Sequence, residues 1–299
     1  MANLEHGSVF NFQKDKGKIK FMKEISVEEL IKAGAHFGHP TSRWHPAFNN
    51  YISMKKNGVH IIDMEQTCQC MNRATKAIGE VVKKGGNVLF VGTKKQAKDV
   101  VQQAADRCGM YYIVERWLGG TLTNYGTIKK SIKRLTILEK ESSDIYANLT
   151  KKELNSLERE RLRLADLHRG IKDMKHIPAA LFFVDGIHER IAIAEARILG
   201  IPTFGIIDSN TDPVDIDYPI PANDDSMKTI HLIANHIADG IIESMGGAID
   251  SDLTIEEINQ DAKDISADIP NEKVAEDIDD NTEATKIVEE NMGNEDVIN

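Results

Sequence analysis

The residues best able to do chemistry in this chain are basic and aromatic side chains set close together. In ERWLGGTLTNYGTIKKSIKRL, Glu115–Leu135, Arg116 and Trp117 precede a glycine pair, Thr121 and Asn124 follow it, and Lys129, Lys130, Lys133 and Arg134 fill the gaps between Ile128, Ile132 and Leu135. A second mixture, Arg43, Trp44, Lys55 and Lys56, lies in AHFGHPTSRWHPAFNNYISMKKNGVHIID, and a third, Lys94 and Lys95, in GTKKQ behind an apolar run. Lysine and arginine neutralise phosphates and release counterions. Aromatic rings stack on unpaired bases, and Asn or Thr side chains fit irregular RNA. These are the candidate RNA contacts. Each also has a plainer role: Trp117 as a core residue, and the lysine run as a solvated helix face.

Acidic and imidazole groups suggest other chemistry. Asp185 and Asp208 close the apolar runs LFFVD and FGIID, and His36 and His39 belong to HFGH. Oxygen and imidazole donors together suit a weak divalent-metal site, although strand-end aspartates equally cap the next turn. Cys68 and Cys70 with the nearby histidines lack the paired spacing of a zinc knuckle. GTKKQ matches neither G-x-x-x-x-G-K-[ST] nor G-x-G-x-x-G, which weakens a free-nucleotide site.

The elements that must position these groups read clearly in part. VHIID, NVLFVG, YYIV, AALFFVD, IPTFGIID and DYPIPAND predict strands, with VHIID as the first of the sheet. Helices are expected over VEELIKAG (capped by Ser26, ended by Gly34), Gln66–Lys83, the stretch holding Val100, Val101, Ala104 and Ala105, HERIAIAEARILG (ending at Gly200), and Ser226–Met245. Strand alternating with helix predicts an α/β fold, an open parallel sheet with helices on both faces. Such sheets bind ligands at their carboxyl ends, where Asp185 and Asp208 fall. Leu157, Leu164 and Ile171 recur every seven residues, with Leu167 and Met174 as a companion row, predicting an inserted antiparallel coiled-coil hairpin. The expected organisation is a disordered extension over 1–20, a discontinuous α/β domain over 21–125 and 176–248, the hairpin over 126–175, and a disordered acidic tail over 249–299.

Charge is divided unevenly. The 299 residues carry a net charge of −10, yet Ser251–Asn299 alone holds sixteen Asp/Glu against three Lys. Between Thr127 and Lys175 thirteen basic residues face eight acidic ones. An acidic tail thus masks a mildly basic body, and whole-chain charge says little about an RNA partner. No apolar run approaches a membrane span, the opening residues do not read as a signal peptide, and three cysteines make no disulfide framework. A cytoplasmic protein is expected.

AGAHFGHPTSRWHP, NGVHIIDMEQT, VLFVGTKKQA, RWLGGTLTNYGTIKKSIKRL, GIKDM and GIPTFGIIDSNTDPVDIDYPIPANDDSMKTI occur in that order. Together they closely resemble the bacterial small-subunit ribosomal protein two family, over roughly Met22–Gly246. The resemblance implies a flavodoxin-like sheet with the hairpin inserted after the strand that leads into RWLGG. It implies binding to small-subunit ribosomal RNA between head and body, contact with neighbouring small-subunit proteins, and a part in docking ribosomal protein one. It implies no enzymatic activity, no required cofactor and no homo-oligomer. The Cys68–Cys70 pair and the acidic tail lie outside the pattern. Two rival readings share parts of the same sequence: a doubly wound nucleotide-binding enzyme, which would need a phosphate fingerprint, and a coiled-coil protein–protein adaptor without RNA.

Overall fold

A computed structural model describes residues 25–140 and 150–247. The expected extension over 1–20 and the tail from 249 onward lie outside the described residues, as does the middle of the hairpin.

The order of elements is α1 (Val27–Ala33), β1 (Phe37–Pro40), a 3-10 turn (Pro46–Tyr51), β2 (Ile52–Lys56), β3 (Val59–Ile62), α2 (Met64–Lys83), β4 (Val88–Val91), α3 (Lys98–Cys108), β5 (Tyr111–Ile113), α4 (Tyr125–Leu138), α5 (Lys151–His168), a 3-10 turn (Arg169–Ile171), β6 (Ala180–Val184), α6 (Arg190–Ile198), β7 (Thr203–Ile207), β8 (Tyr218–Pro221) and α7 (Met227–Ser244). Five strands form a parallel sheet in the order β5-β4-β6-β7-β8. Numbered within that sheet this is 2-1-3-4-5, the flavodoxin-like order. β4, β6 and β7 are buried at every position, as strands covered on both faces must be. From β4 the chain crosses toward one edge through α3, and from β6 toward the other through α6. Right-handed crossovers therefore put α3 and α6 on opposite faces.

Helix ends follow local chemistry. Ser26 and Glu29 form a reciprocal capping box at α1, and Gly34 ends it in the left-handed region. Ser226 caps α7 through Thr229 N.

Two expectations are corrected. VHIID does not open the parallel sheet: β3 lies between β1 and β2 in a separate antiparallel sheet. The heptad row also outruns its helix. α5 ends at His168, and Ile171 and Met174 are buried in the main core. Within α5 the row residues Leu157, Leu164 and Leu167 are half-buried, whereas Leu154 and Leu162, outside the rows, are exposed.

Candidate nucleic-acid interface

The RWLGG junction is built around a residue not singled out in the sequence. Glu195 of α6 is buried, and both of its oxygens only accept. Oε1 takes hydrogen bonds from Trp117 Nε1 (3.1 Å) and Gly120 N (2.7 Å). Oε2 takes them from Leu122 N (2.9 Å), Thr123 N (3.0 Å) and Thr123 Oγ1 (3.0 Å). Burial pushes the carboxyl upward, but these donors outweigh it and hold it below the ordinary glutamate value. One carboxylate thereby fixes the loop that launches α4. Trp117 is consequently core, 8% exposed, and not a stacking platform for bases. Thr121 is buried too, its hydroxyl donating to Leu118 O (2.5 Å). Both are corrected from RNA contacts to structural roles.

The glycine pair divides its work. Gly120 has φ +88°, and a Cβ there would meet Asn124 Cβ at 3.1 Å, whereas Gly119 faces open space. Gly120→Val is expected to cost more than the ~1 kcal/mol of a plain glycine propensity effect, and Gly119→Val far less. Paired melting curves check this; equal losses would contradict it.

Beyond the junction, Asn124 holds the N-cap position of α4 but makes no capping bond to the backbone, and it accepts from Thr127 Oγ1 (3.0 Å). Ile128, Ile132, Leu135 and Leu138 face inward, leaving Lys129, Lys130 and Lys133 exposed. Lys129 reaches Lys175 O (2.7 Å) and lies over the Tyr125 ring. Arg134 differs: its guanidinium binds both oxygens of Glu160 at 2.9 Å, tying α4 to α5. Ser131 and His168 join the same helices at 2.7 Å. Arg134 is therefore first a hairpin clamp.

The second basic surface is the β2–β3 hairpin. Asn57 and Gly58 both have positive φ (51° and 76°), the type I′ turn that matches strand twist. This turn carries Lys55 and Lys56 out into solvent, with Arg43 exposed on the preceding loop. Trp44 is half-buried, its ring 5.0 Å from that of His60 and with Lys55 Nζ 5.3 Å from its centroid. Lys95 and Arg116 are exposed as well.

The carboxyl end of the parallel sheet holds a different cluster. Lys94, 12% exposed, is surrounded by Asp185 (3.2 Å), Asp224 (2.7 Å) and Asp225 (2.6 Å). Burial pulls its pKa down, but the carboxylates outweigh that and hold it above the usual lysine range. Asp224 moves up, driven by burial and by the nearby Asp185 and Asp208 carboxylates, which outweigh the downward pull of Lys94. Lys94 is thus corrected from a phosphate contact to the internal counter-ion of this cluster. The neighbouring Thr93 gives its N–H (2.7 Å) and hydroxyl (2.6 Å) to buried Glu189. A loop whose backbone could hold a phosphate holds a carboxylate of the protein instead.

His39 connects this cluster to β1. Its Nδ1 lies 2.9 Å from Asp208 Oδ2 and its Nε2 3.6 Å from Asp225; the Asp208 hydrogen bond raises its pKa although burial opposes. Gly38 permits the approach, since a Cβ there would come within 2.8 Å of Ser209 Oγ and 3.1 Å of Asp208. Asp185, at φ 73°, accepts from Ile187 N and His188 N, so it does cap its turn. Among the described residues, the group whose donor atoms lie within 4.8 Å of one another is His39, Asp224 and Asp225. His36 is outside it and rests against Phe37.

This topology, a flavodoxin-like sheet with a helical arm and two exposed basic surfaces, is a binding scaffold. The family model for Ribosomal protein S2 matches residues 30–244, and the chain belongs to that family. It is accordingly a structural component of the small subunit of the cytoplasmic ribosome, and not an enzyme. Its class of partners is ribosomal RNA and other ribosomal proteins. Among the described residues no helix is long and apolar enough to cross a membrane.

Proposed function

We propose that the chain binds small-subunit ribosomal RNA between head and body through two surfaces, the α4 lysines and the β2–β3 hairpin with Arg43 and Trp44. Lys95, Arg116 and Asn124 extend them. The observation that carries this is the exposure of Lys129, Lys130 and Lys133 along one side of a helix whose other side is core. None of the three lies in the apolar row of the helix, although Lys129 also rests on the Tyr125 ring. Replacing all three with Gln should leave the melting curve nearly unchanged. Each lost phosphate contact should flatten the logarithmic salt dependence of RNA binding by about 0.7–0.9. An unchanged slope would mean that these side chains are merely solvated. Docking of ribosomal protein one rests on the family likeness alone.

We also propose a divalent-cation site whose ligands are His39 Nε2, Asp224 and Asp225, with Asp208 orienting the imidazole through Nδ1. This revises the set read from the sequence: Asp208 moves behind the histidine, Asp185 serves Lys94, and His36 drops out. Metal analysis of the purified protein should find bound cation that is reduced in Asp208→Asn. A metal-free parent protein ends the idea.

A further inference from the structure

At the opposite end of the sheet lies a pocket that none of these contacts uses. The amino ends of β7 and β8 border a cavity of about 590 Å³, lined by Arg73 of α2, Arg197 of α6, Pro202, Asp217 and Tyr218 among others. Its walls are tied down. Tyr218 stacks on Phe204 (centroids 4.5 Å apart, planes at 9°) and carries the Arg73 guanidinium 5.7 Å from its ring centroid. Asp217 accepts from both the N–H and the hydroxyl of Thr203, at 2.9 and 3.0 Å. Arg73 has no carboxylate partner among the described residues, while Arg197 pairs with exposed Asp215. The residues next to that pair and to the pocket wall in sequence leave three aliphatic side chains in water: Ile198 (75% exposed), Val214 (76%) and Leu199 (41%). Exposed aliphatics flanking the residues that line a pocket with an arginine lacking a carboxylate partner mark a surface that a partner covers.

We infer that this pocket and its aliphatic rim dock a segment of a neighbouring protein in which an apolar side chain stands next to a carboxylate. The carboxylate pairs with Arg73, and the apolar side chain lies across Ile198 and Val214. RNA fits less well, because an aliphatic rim gives a sugar–phosphate chain nothing to bind. The inference rests on the ribosomal reading above, and its test keeps the two apart. Full-length chain carrying the photo-crosslinker 4-benzoylphenylalanine at Val214, or separately at Ile198, is assembled into small subunits, which are purified and irradiated. The expected product joins either position to another protein, at a peptide with Asp or Glu beside an aliphatic or aromatic residue. Adding Arg73→Glu should lower that yield about tenfold without reducing incorporation. Crosslinks to RNA, to this chain's own residues, or to nothing in normally assembled subunits would overturn the inference and leave the ribosomal reading standing. Absence of the unlabelled parent chain from subunits would overturn both.

Discussion

Glu195→Ala is expected to lower the melting temperature by about 6–12 °C, because it strips a buried acceptor from five donors at once. Each buried donor left without a partner costs ~1–3 kcal/mol. Partial rescue by water brings the total to at least ~3 kcal/mol, and in a domain of this size each kcal/mol shifts melting by about 2–4 °C. Glu195→Gln tests the charge separately. Both carboxylate oxygens accept, so an amide nitrogen must face two or three donors whichever way it turns, and Gln should be destabilising as well. The pH dependence has a definite sign. A carboxyl held below its ordinary value of 4.5 contributes stability that is fully present above that pH and is lost as pH falls through the folded value. The gap between parent and Glu195→Ala should therefore narrow in acid. RNA affinity should fall by more than the unfolded fraction explains, since the same carboxylate aims α4. A variant that melts and binds like the parent would contradict this account of the junction.

Lys94→Met should be the other large effect. It leaves Asp185, Asp224 and Asp225 facing one another with the central cation gone. Removing one partner from a buried ionic cluster costs ~3–5 kcal/mol. Millimolar divalent cation should restore part of the lost stability, and should raise the melting temperature of the variant more than that of the parent. A phosphate-binding lysine would behave differently: its loss would weaken RNA binding and leave melting alone. Chemical melts with and without added magnesium or zinc separate the two roles.

These two residues also show where reading the sequence stops. The parallel strands were legible because continuous apolar runs such as LFFV and TFGII permit little else, and Ser26 and Gly34 marked the ends of α1 through purely local chemistry. Trp117 read equally as a core residue and as an RNA contact, because the carboxylate that decides between them lies 78 residues away. Lys94 looked like a phosphate ligand because Asp224 is 130 residues distant. Both assignments depend on which strand ends the topology brings together, and no local window contains that. The small antiparallel sheet was missed for another reason. β2 is exposed along most of its length and shows no alternation, so only Asn57-Gly58 announced the turn. The heptad row misled because its period continued past the end of α5 into residues that serve the main core. The exposed lysines of α4 needed no partner to be recognised, since they follow from the helical period alone.

The most direct measurement is a structure of the assembled small subunit containing this chain, read for the distance from each basic side chain to the nearest phosphate. The account predicts Lys55, Lys56, Lys129, Lys130 and Lys133 within hydrogen-bonding or ion-pairing reach of phosphates, ~3–4 Å, and no RNA contact from Trp117, Thr121 or Lys94. Lysines of α4 and of the β2–β3 hairpin pointing into solvent, with RNA instead on the Lys94 cluster, would contradict it.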